Sequence, residues 1–107
     1  MNPRALLALA LVLLVAVPAA SGATRTVKLQ SQSFSPKTIT IHRGDKIRFR
    51  WVSGFHNVRR VSGPAFKKIA SRQGGSVTRA FTKAGRYRLV CSIHRDLGMF
   101  LTVRVKA

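Results

Sequence analysis

Apolar and basic side chains alternate along several short segments of this 107-residue chain, and this alternation constrains its fold more than any other feature. The clearest segment holds Ile47, Phe49 and Trp51, which alternate with three basic residues. Successive side chains of a β-strand point to opposite faces, so this pattern predicts a strand with one face in the core and one in solvent. The same alternation predicts strands at residues 26–30 and 38–42.

Two further strands are predicted in the C-terminal part of the chain. Tyr87 and Leu89 alternate with arginines, and this parity turns Cys91 toward the interior. Met99 begins a last strand, whose apolar face continues to Val105 while basic and hydroxyl side chains occupy the other face. The chain therefore places Cys91 at the end of one strand and Met99 at the start of the next.

The middle of the chain has a less regular pattern. Residues 58–61 predict a short strand, and residues 66–70 predict a turn of helix. Residues 76–82 predict an edge strand, because Arg79 shares the side of its apolar neighbours and a fully buried strand would leave that charge without a partner. Several short strands separated by turn signals, without a helical segment of ordinary length, indicate an all-β, two-sheet sandwich.

Residues 1–23 have the organisation of a secretory signal peptide. Arg4 precedes an apolar block, and proline and small residues follow it. The apolar block is shorter than the roughly 20 residues that a membrane-spanning helix needs, which favours a cleaved leader over a retained membrane anchor. We expect cleavage after Ala20 or Ala23, a single domain at 24–107, and export to the periplasm or the extracellular space.

The only cysteine of the chain is Cys91. A lone cysteine in an exported domain is an apolar filler, an intermolecular bridge, a nucleophile or a metal ligand. Cys91 ends one predicted strand, Met99 begins the next, and His94 lies in the loop between them. Three ligand types therefore meet at one end of the fold. Thiolate, imidazole and thioether suit copper, whereas calcium and magnesium prefer oxygen ligands and structural zinc usually takes four cysteine or histidine ligands.

A second histidine is needed for the His₂Cys plane with a weak axial methionine that is typical of blue copper sites. His42 lies on the polar side of its predicted strand, where a solvated histidine is ordinary. His56 follows closely after Trp51 ends a core strand, so its side chain can turn inward at the strand end. We therefore expect His56 to be the second imidazole ligand.

These residues resemble the plastocyanin-like cupredoxins, whose pattern is a His-Asn-Val stretch followed by Cys-x2-His-x4-Met. The matching residues are the stretch at 56–58 and Cys91, His94 and Met99. The resemblance implies a cupredoxin-like Greek-key β-sandwich with one type 1 copper ion held by His56, Cys91, His94 and Met99. It also implies a carrier of single electrons rather than an enzyme.

The resemblance extends to the surroundings of the predicted copper site. Asn57 is expected to tie the two ligand-bearing loops together by hydrogen bonds, which orient ligands and tune redox behaviour. In relatives, the histidine that matches His94 reaches an apolar surface patch through which electrons pass. The candidates for that patch are Phe55, Pro64, Leu97 and Phe100.

The chain carries 20 lysines and arginines against two acidic residues, a formal net charge of +18. This charge predicts brief encounters of a monomer with an acidic redox partner protein, and attraction to anionic membrane surfaces. Specific nucleic-acid binding is not expected, because the basic residues are scattered over several strands without a recognition helix or an aromatic ladder.

An alternative role is to bind copper for delivery or sequestration, without electron-carrier duty. The axial methionine and single thiolate favour redox duty, because delivery proteins often expose several methionines or histidines. Catalysis by a Cys91–His94 pair is disfavoured, since it leaves Met99 unexplained. No second copper cluster and no paired acid and base are visible in the sequence.

Overall fold

This computed structural model describes residues 22–107, which form nine β-strands and one short 3₁₀ segment. The strands are β1 (Thr24–Gln30), β2 (Ser33–Ser35), β3 (Thr38–His42), β4 (Lys46–Trp51), β5 (Phe55–Ser62), β6 (Ile69–Gln73), β7 (Ser76–Ala80), β8 (Gly85–Val90) and β9 (Phe100–Lys106). The 3₁₀ segment, Ser92–Leu97, joins β8 to β9. Within this part of the chain, no helix has the length and apolarity needed to cross a membrane. The predicted leader at 1–23 lies outside the described residues except for Gly22 and Ala23.

The strands form two packed sheets, as the sequence predicts. One sheet has four strands in the order β2-β1-β4-β7, and the other has five in the order β3-β9-β8-β5-β6. The pairs β1–β4 and β3–β9 are parallel, and the remaining pairs are antiparallel. The chain crosses between the sheets at β3 and returns at β4, a connection found in Greek-key sandwiches.

The core lies between the sheets and consists of the predicted inward-facing residues. Ile47 and Phe49 are fully buried, and Trp51 is nearly so, whereas the basic residues between them are exposed. Three further aromatic rings, which pack against one another, belong to the core or pack against it. Phe81 stacks on Phe66 at a centroid distance of 5.9 Å and meets the edge of Tyr87 at 5.0 Å.

The predicted helical turn at 66–70 is wrong, because the chain there is irregular and then forms strand β6. Phe66 packs against the core from this irregular stretch, and within β6 only Ile69 is buried. The edge position of β7 is confirmed. The half-buried guanidinium of Arg79 donates hydrogen bonds to the carbonyl oxygens of Lys67 and Lys68, at 3.1 and 3.3 Å. These two carbonyl oxygens are hydrogen-bond partners for the charge of Arg79, which the sequence pattern predicts to need partners.

A buried carboxylate closes the end of the sandwich where β4 begins. Asp45 accepts hydrogen bonds from the backbone N–H groups of His42, Gly22 and Ala23, at 2.9, 3.0 and 3.2 Å. The His42 N–H and then the Gly22 N–H hold the pKa of Asp45 below its ordinary value. The two residues before β1 are therefore bonded to the folded domain.

Candidate metal centre

The beginnings of β5 and β9, the end of β8 and the 3₁₀ segment after it meet at the end of the sandwich opposite Asp45. We call this end the ligand pole. Strand β8 runs antiparallel to β5 and to β9, so the end of β8 lies beside the beginnings of both neighbours. This topology places Cys91, just after β8, near His56 in β5 and Met99 just before β9. All three residues are fully buried.

The ligand pole holds a cluster of three potential metal ligands. Sγ of Cys91 lies 3.8 Å from Nδ1 of His56 and 3.7 Å from Nδ1 of His94, and the two Nδ1 atoms are 3.2 Å apart. No other group of three histidine, cysteine or acidic side chains at such spacing occurs between residues 22 and 107.

These spacings suit a single metal ion. Metal–nitrogen and metal–sulfur bonds to a first-row ion such as zinc are about 2.0 and 2.3 Å long, and at about 120° they separate the two ligand atoms by about 3.7 Å. The two observed sulfur–nitrogen distances match this value. A thiol between two imidazoles is a soft donor set, which favours copper among the redox-active ions.

A loop carbonyl fixes the ring of His56. Nε2 lies 2.8 Å from the carbonyl oxygen of Ser53, and because a carbonyl only accepts, Nε2 carries the proton. The lone pair of Nδ1 is then left to face Cys91 and His94. Burial lowers the pKa of His56, the proximity of His94 lowers it further, and the bond to Ser53 opposes both effects. The ring is thus held in the neutral form that metal binding needs.

The loop that precedes β5 and His56 is itself held in place. Gly54 has φ +88°, and a Cβ atom there would lie 2.6 Å from Nε2 of His56. The N–H groups of Val52 and Ser53 both donate to the carbonyl oxygen of Leu29. The indole Nε1 of Trp51 donates to the carbonyl oxygen of His56 at 2.9 Å. Ser53 and Gly54 are functional residues whose roles the sequence alone did not identify.

Backbone hydrogen bonds close the loop between Cys91 and Met99. The Cys91 N–H donates to the Met99 carbonyl at 3.1 Å, and the Met99 N–H donates to the His94 carbonyl at 3.3 Å. Gly98 takes a left-handed conformation, with φ +78°, that ends the 3₁₀ segment. Backbone hydrogen bonds therefore tie Met99 to both Cys91 and His94, and its side chain is fully buried.

Asn57 joins the two ligand-bearing loops, as expected. Its Oδ1 accepts a hydrogen bond from the Ser92 N–H at 2.8 Å, and its Nδ2 donates to Ser92 Oγ at 2.8 Å. Nδ2 also lies 3.3 Å from Ser71 Oγ on β6. The residue next to Cys91 is thereby held against the residue next to His56. The contribution of Ser71 was not predicted, because β6 was not recognised as a strand.

His42 lies away from this cluster. It is exposed at the end of β3, and its backbone N–H donates to Asp45 at the other end of the sandwich. The structure thus brings His56, Cys91 and His94 together and leaves His42 apart, which is the arrangement that the sequence predicts.

Exposed apolar side chains accompany the ligand pole. Leu97 is 65% exposed, Phe55 is 53% exposed, and Ile93, which was not predicted, is 46% exposed. Phe100 is half-buried. The inclusion of Pro64 in this patch is wrong, because its ring packs at Gly85, at the far end of β8 from Cys91. The other three predicted residues lie in β5, in the 3₁₀ segment and at the start of β9.

A family model described as "Cupredoxin-like domain" matches residues 4–103 of this chain. A comparison with curated protein sequences finds no match.

The solved structures of a pseudoazurin, an amicyanin variant and a Cu-containing nitrite reductase are similar to this chain. Pseudoazurin from Hyphomicrobium denitrificans is 25% identical, with a TM-score of 0.69, over 78% of this chain and 75% of that one. A reduced amicyanin variant is 25% identical, with a TM-score of 0.67, over 82% and 86%. The Cu-containing nitrite reductase from Thermus scotoductus is 28% identical, with a TM-score of 0.69, over 87% of this chain but 26% of the enzyme.

Proposed function

We propose that this chain, which belongs to the family of cupredoxin-like domains, holds one type 1 copper ion at its ligand pole and carries single electrons between redox partners. The observation that carries this proposal is the convergence of a thiol and two imidazole nitrogens within 4.8 Å of one another. The similarity of the chain to pseudoazurin and to a reduced amicyanin variant supports the same role.

His56, Cys91, His94 and Met99 are the residues that would hold the ion, through two imidazole nitrogens, a thiolate and a thioether sulfur. Copper in this donor set would supply one-electron redox chemistry, by alternating between its +2 and +1 states. The neutral ring of His56 offers Nδ1 without first losing a proton. A bound cation of this kind keeps the cysteine deprotonated, so Cys91 would bind as a thiolate.

The surrounding hydrogen bonds hold these side chains in one geometry. The ring of His56 is fixed through Ser53, and Asn57 fixes the start of the Cys91–Met99 loop through Ser92. Ligands that are already positioned need little rearrangement when the charge at the site changes by one unit. Such preorganisation favours fast electron transfer.

The burial of the ligands favours an electron carrier over a copper-delivery protein. His56, Cys91 and Met99 are each fully buried, and His94 alone is partly accessible. Handing over the ion itself would require an acceptor to reach several ligands, whereas an electron needs only one exposed ligand edge. His94 provides that edge. Phe55, next to His56, and Leu97, three residues after His94, have exposed side chains.

We also propose export, an acidic redox partner and a non-enzymatic role. The leader-like pattern of residues 1–23 supports export to the periplasm or extracellular space. The net charge of +18 supports transient pairing with an acidic protein and attraction to anionic membrane surfaces. The chain spans only 26% of the nitrite reductase, so the activity of that enzyme is not carried over.

The proposal is tested by adding Cu(II) to the purified domain and recording its visible spectrum and its redox titration. We expect an intense blue thiolate-to-copper band at one equivalent of copper, lost in Cys91→Ser and kept in His42→Ala. Reversible bleaching and recovery with one electron per copper supports the carrier. A colourless protein contradicts the site, and a blue protein that releases copper on reduction supports delivery instead.

A further inference from the structure

Two arginines share one aromatic ring beside the ligand pole. The guanidinium carbon of Arg88 lies 4.7 Å from the ring centroid of Phe100, and that of Arg95 lies 5.7 Å from the same centroid. A guanidinium at such a distance from an aromatic ring is attracted by the negative face of the ring. We call these three residues the arginine cluster.

The cluster adjoins two of the proposed copper ligands. Arg95 directly follows His94 in the 3₁₀ segment, and Phe100 directly follows Met99 at the start of β9. Phe100 alternates on β9 with the core residue Leu101, so its side chain points to the outer face of the five-stranded sheet rather than into the core. The two guanidiniums are thus held on the outside of the loop that carries His94.

The positive charge of the cluster has no acidic partner among the residues that the structure describes. Among those residues, the guanidinium groups of Arg88 and Arg95 interact with the ring of Phe100 and form no hydrogen bond or ion pair. The two acidic residues are Asp45, which is bonded to backbone N–H groups at the other end, and Asp96, which directly follows Arg95 but is exposed and forms no ion pair with either arginine. Neither guanidinium is held in an ion pair, so a carboxylate bound between them would relieve the repulsion between the two cations.

We propose that the arginine cluster is the docking site for carboxylate side chains of an acidic electron-transfer protein, an inference that rests on the proposed function. A guanidinium presents a planar fork that binds a carboxylate through two parallel hydrogen bonds. Stacking on Phe100 already restricts both arginines, so less side-chain entropy is lost on binding. The cluster is compact and lies beside one accessible ligand, His94, which fits a protein contact better than a broad membrane surface.

The test uses the reduced, copper-loaded protein and two outer-sphere oxidants at low ionic strength. Hexacyanoferrate(III) is an anion, and tris(phenanthroline)cobalt(III) is a cation. In each reaction one electron leaves Cu(I) to give Cu(II) and reduces Fe(III) to Fe(II) or Co(III) to Co(II), without bonds forming or breaking. The variant is Arg88→Gln/Arg95→Gln, with one residue on β8 and one in the 3₁₀ segment. The matched control is Arg86→Gln/Arg104→Gln, an exposed cross-strand pair of equal charge on β8 and β9.

We expect the cluster variant to react about fivefold more slowly than the control with hexacyanoferrate(III), and no more slowly than the control with the cobalt complex. Equal slowing of the two variants overturns the inference, because net charge alone then explains the effect. An unchanged blue band shows that the variants keep their copper site. Arg88→Lys/Arg95→Lys keeps the charge and should restore most of the hexacyanoferrate(III) rate.

A redox-inert carboxylate probe tests the occupant directly. Poly-L-glutamate should slow the hexacyanoferrate(III) reaction of the wild-type protein and leave the Gln variant unaffected. Equal slowing of the reaction in both proteins contradicts an acidic protein as the partner. Slowing of the wild-type reaction by anionic phosphatidylglycerol vesicles but not by poly-L-glutamate also contradicts it. If the wild-type protein reacts with neither oxidant, the proposed function itself fails. If it reacts with both and the variants do not differ, only the docking site fails.

Discussion

Nδ1 of His56 lies 3.2 Å from Nδ1 of His94, although 38 positions separate the two residues along the chain. The ring of His56 keeps this orientation because its other nitrogen is bonded to Ser53 and because Gly54 leaves room for it. The candidate metal site therefore depends on a loop that contributes no ligand.

Replacing Gly54 by alanine should weaken copper binding about tenfold or more, because the new Cβ displaces the His56 ring from its bond to Ser53. Competition with a chelator measures the affinity. The matched control is Gly74→Ala, at a glycine with a similar φ of +75° but with nothing within 4 Å of the new Cβ. Equal losses in the two variants would assign the effect to backbone strain and not to the histidine.

Replacing Asn57 by alanine should destabilise the metal-free protein by about 1–3 kcal/mol and weaken copper binding about tenfold or more. The change leaves the Ser92 N–H without its acceptor and frees the start of the Cys91–Met99 loop. Urea unfolding and chelator competition measure the two effects. Ser71→Ala removes only the 3.3 Å hydrogen bond and should cost less on both measures. Wild-type affinity in Asn57→Ala would show that the loops hold together without it.

Part of the acid destabilisation of the protein should come from Asp45. Backbone N–H groups hold its pKa below the ordinary value of 3.8, so its contribution is complete well above that value. As the pH falls through the lower pKa of the folded state, the contribution is lost. Urea midpoints of the metal-free protein should therefore fall between about pH 6 and about pH 3 in the wild type and fall less in Asp45→Asn.

The matched control for this pH dependence is Asp96→Asn. Asp96 is the other acidic residue of the chain, and it is exposed without a hydrogen-bond partner in the part that the structure describes. This variant should keep the wild-type dependence on pH. The same slope in Asp45→Asn as in Asp96→Asn would contradict a structural role for the Asp45 carboxylate.

Replacing Phe81 by alanine should lower the free energy of unfolding by about 3–5 kcal/mol without altering the blue band of the copper-loaded protein. The ring of Phe81 contacts Phe66 and Tyr87, and its backbone N–H donates to Asp45, far from the ligand pole. Thermal unfolding and visible absorption measure the two properties. A shifted blue band would mean that packing at one end of the sandwich reaches the metal site at the other.

Alternation predicts those strands whose two faces differ in chemistry. Segments such as Ile47–Phe49–Trp51 place every second side chain in the core, so their period can be counted directly. Strand β6 has only Ile69 buried and four exposed residues after it, so it has no period to count. It is a strand because β5 supplies its hydrogen bonds, which is information from elsewhere in the chain.

The ligand residues could be predicted because cysteine, histidine and methionine have distinctive chemistry at a short spacing. The residues that orient them have no such signature. Ser53 acts through its carbonyl oxygen, which every residue has, and Ser71 acts from a strand that was not recognised. The predicted patch residue Pro64 failed for a related reason, since the course of the chain after β5 determines where it packs.

Crystals of the copper-loaded protein, with anomalous diffraction measured on either side of the copper absorption edge, test the central claim most directly. We predict one anomalous peak, bonded to Nδ1 of His56, Nδ1 of His94 and Sγ of Cys91, with the Met99 sulfur as the more distant fourth neighbour. A peak elsewhere, for example at His42, or an ion that leaves the Cys91 sulfur out of its coordination, would contradict the account.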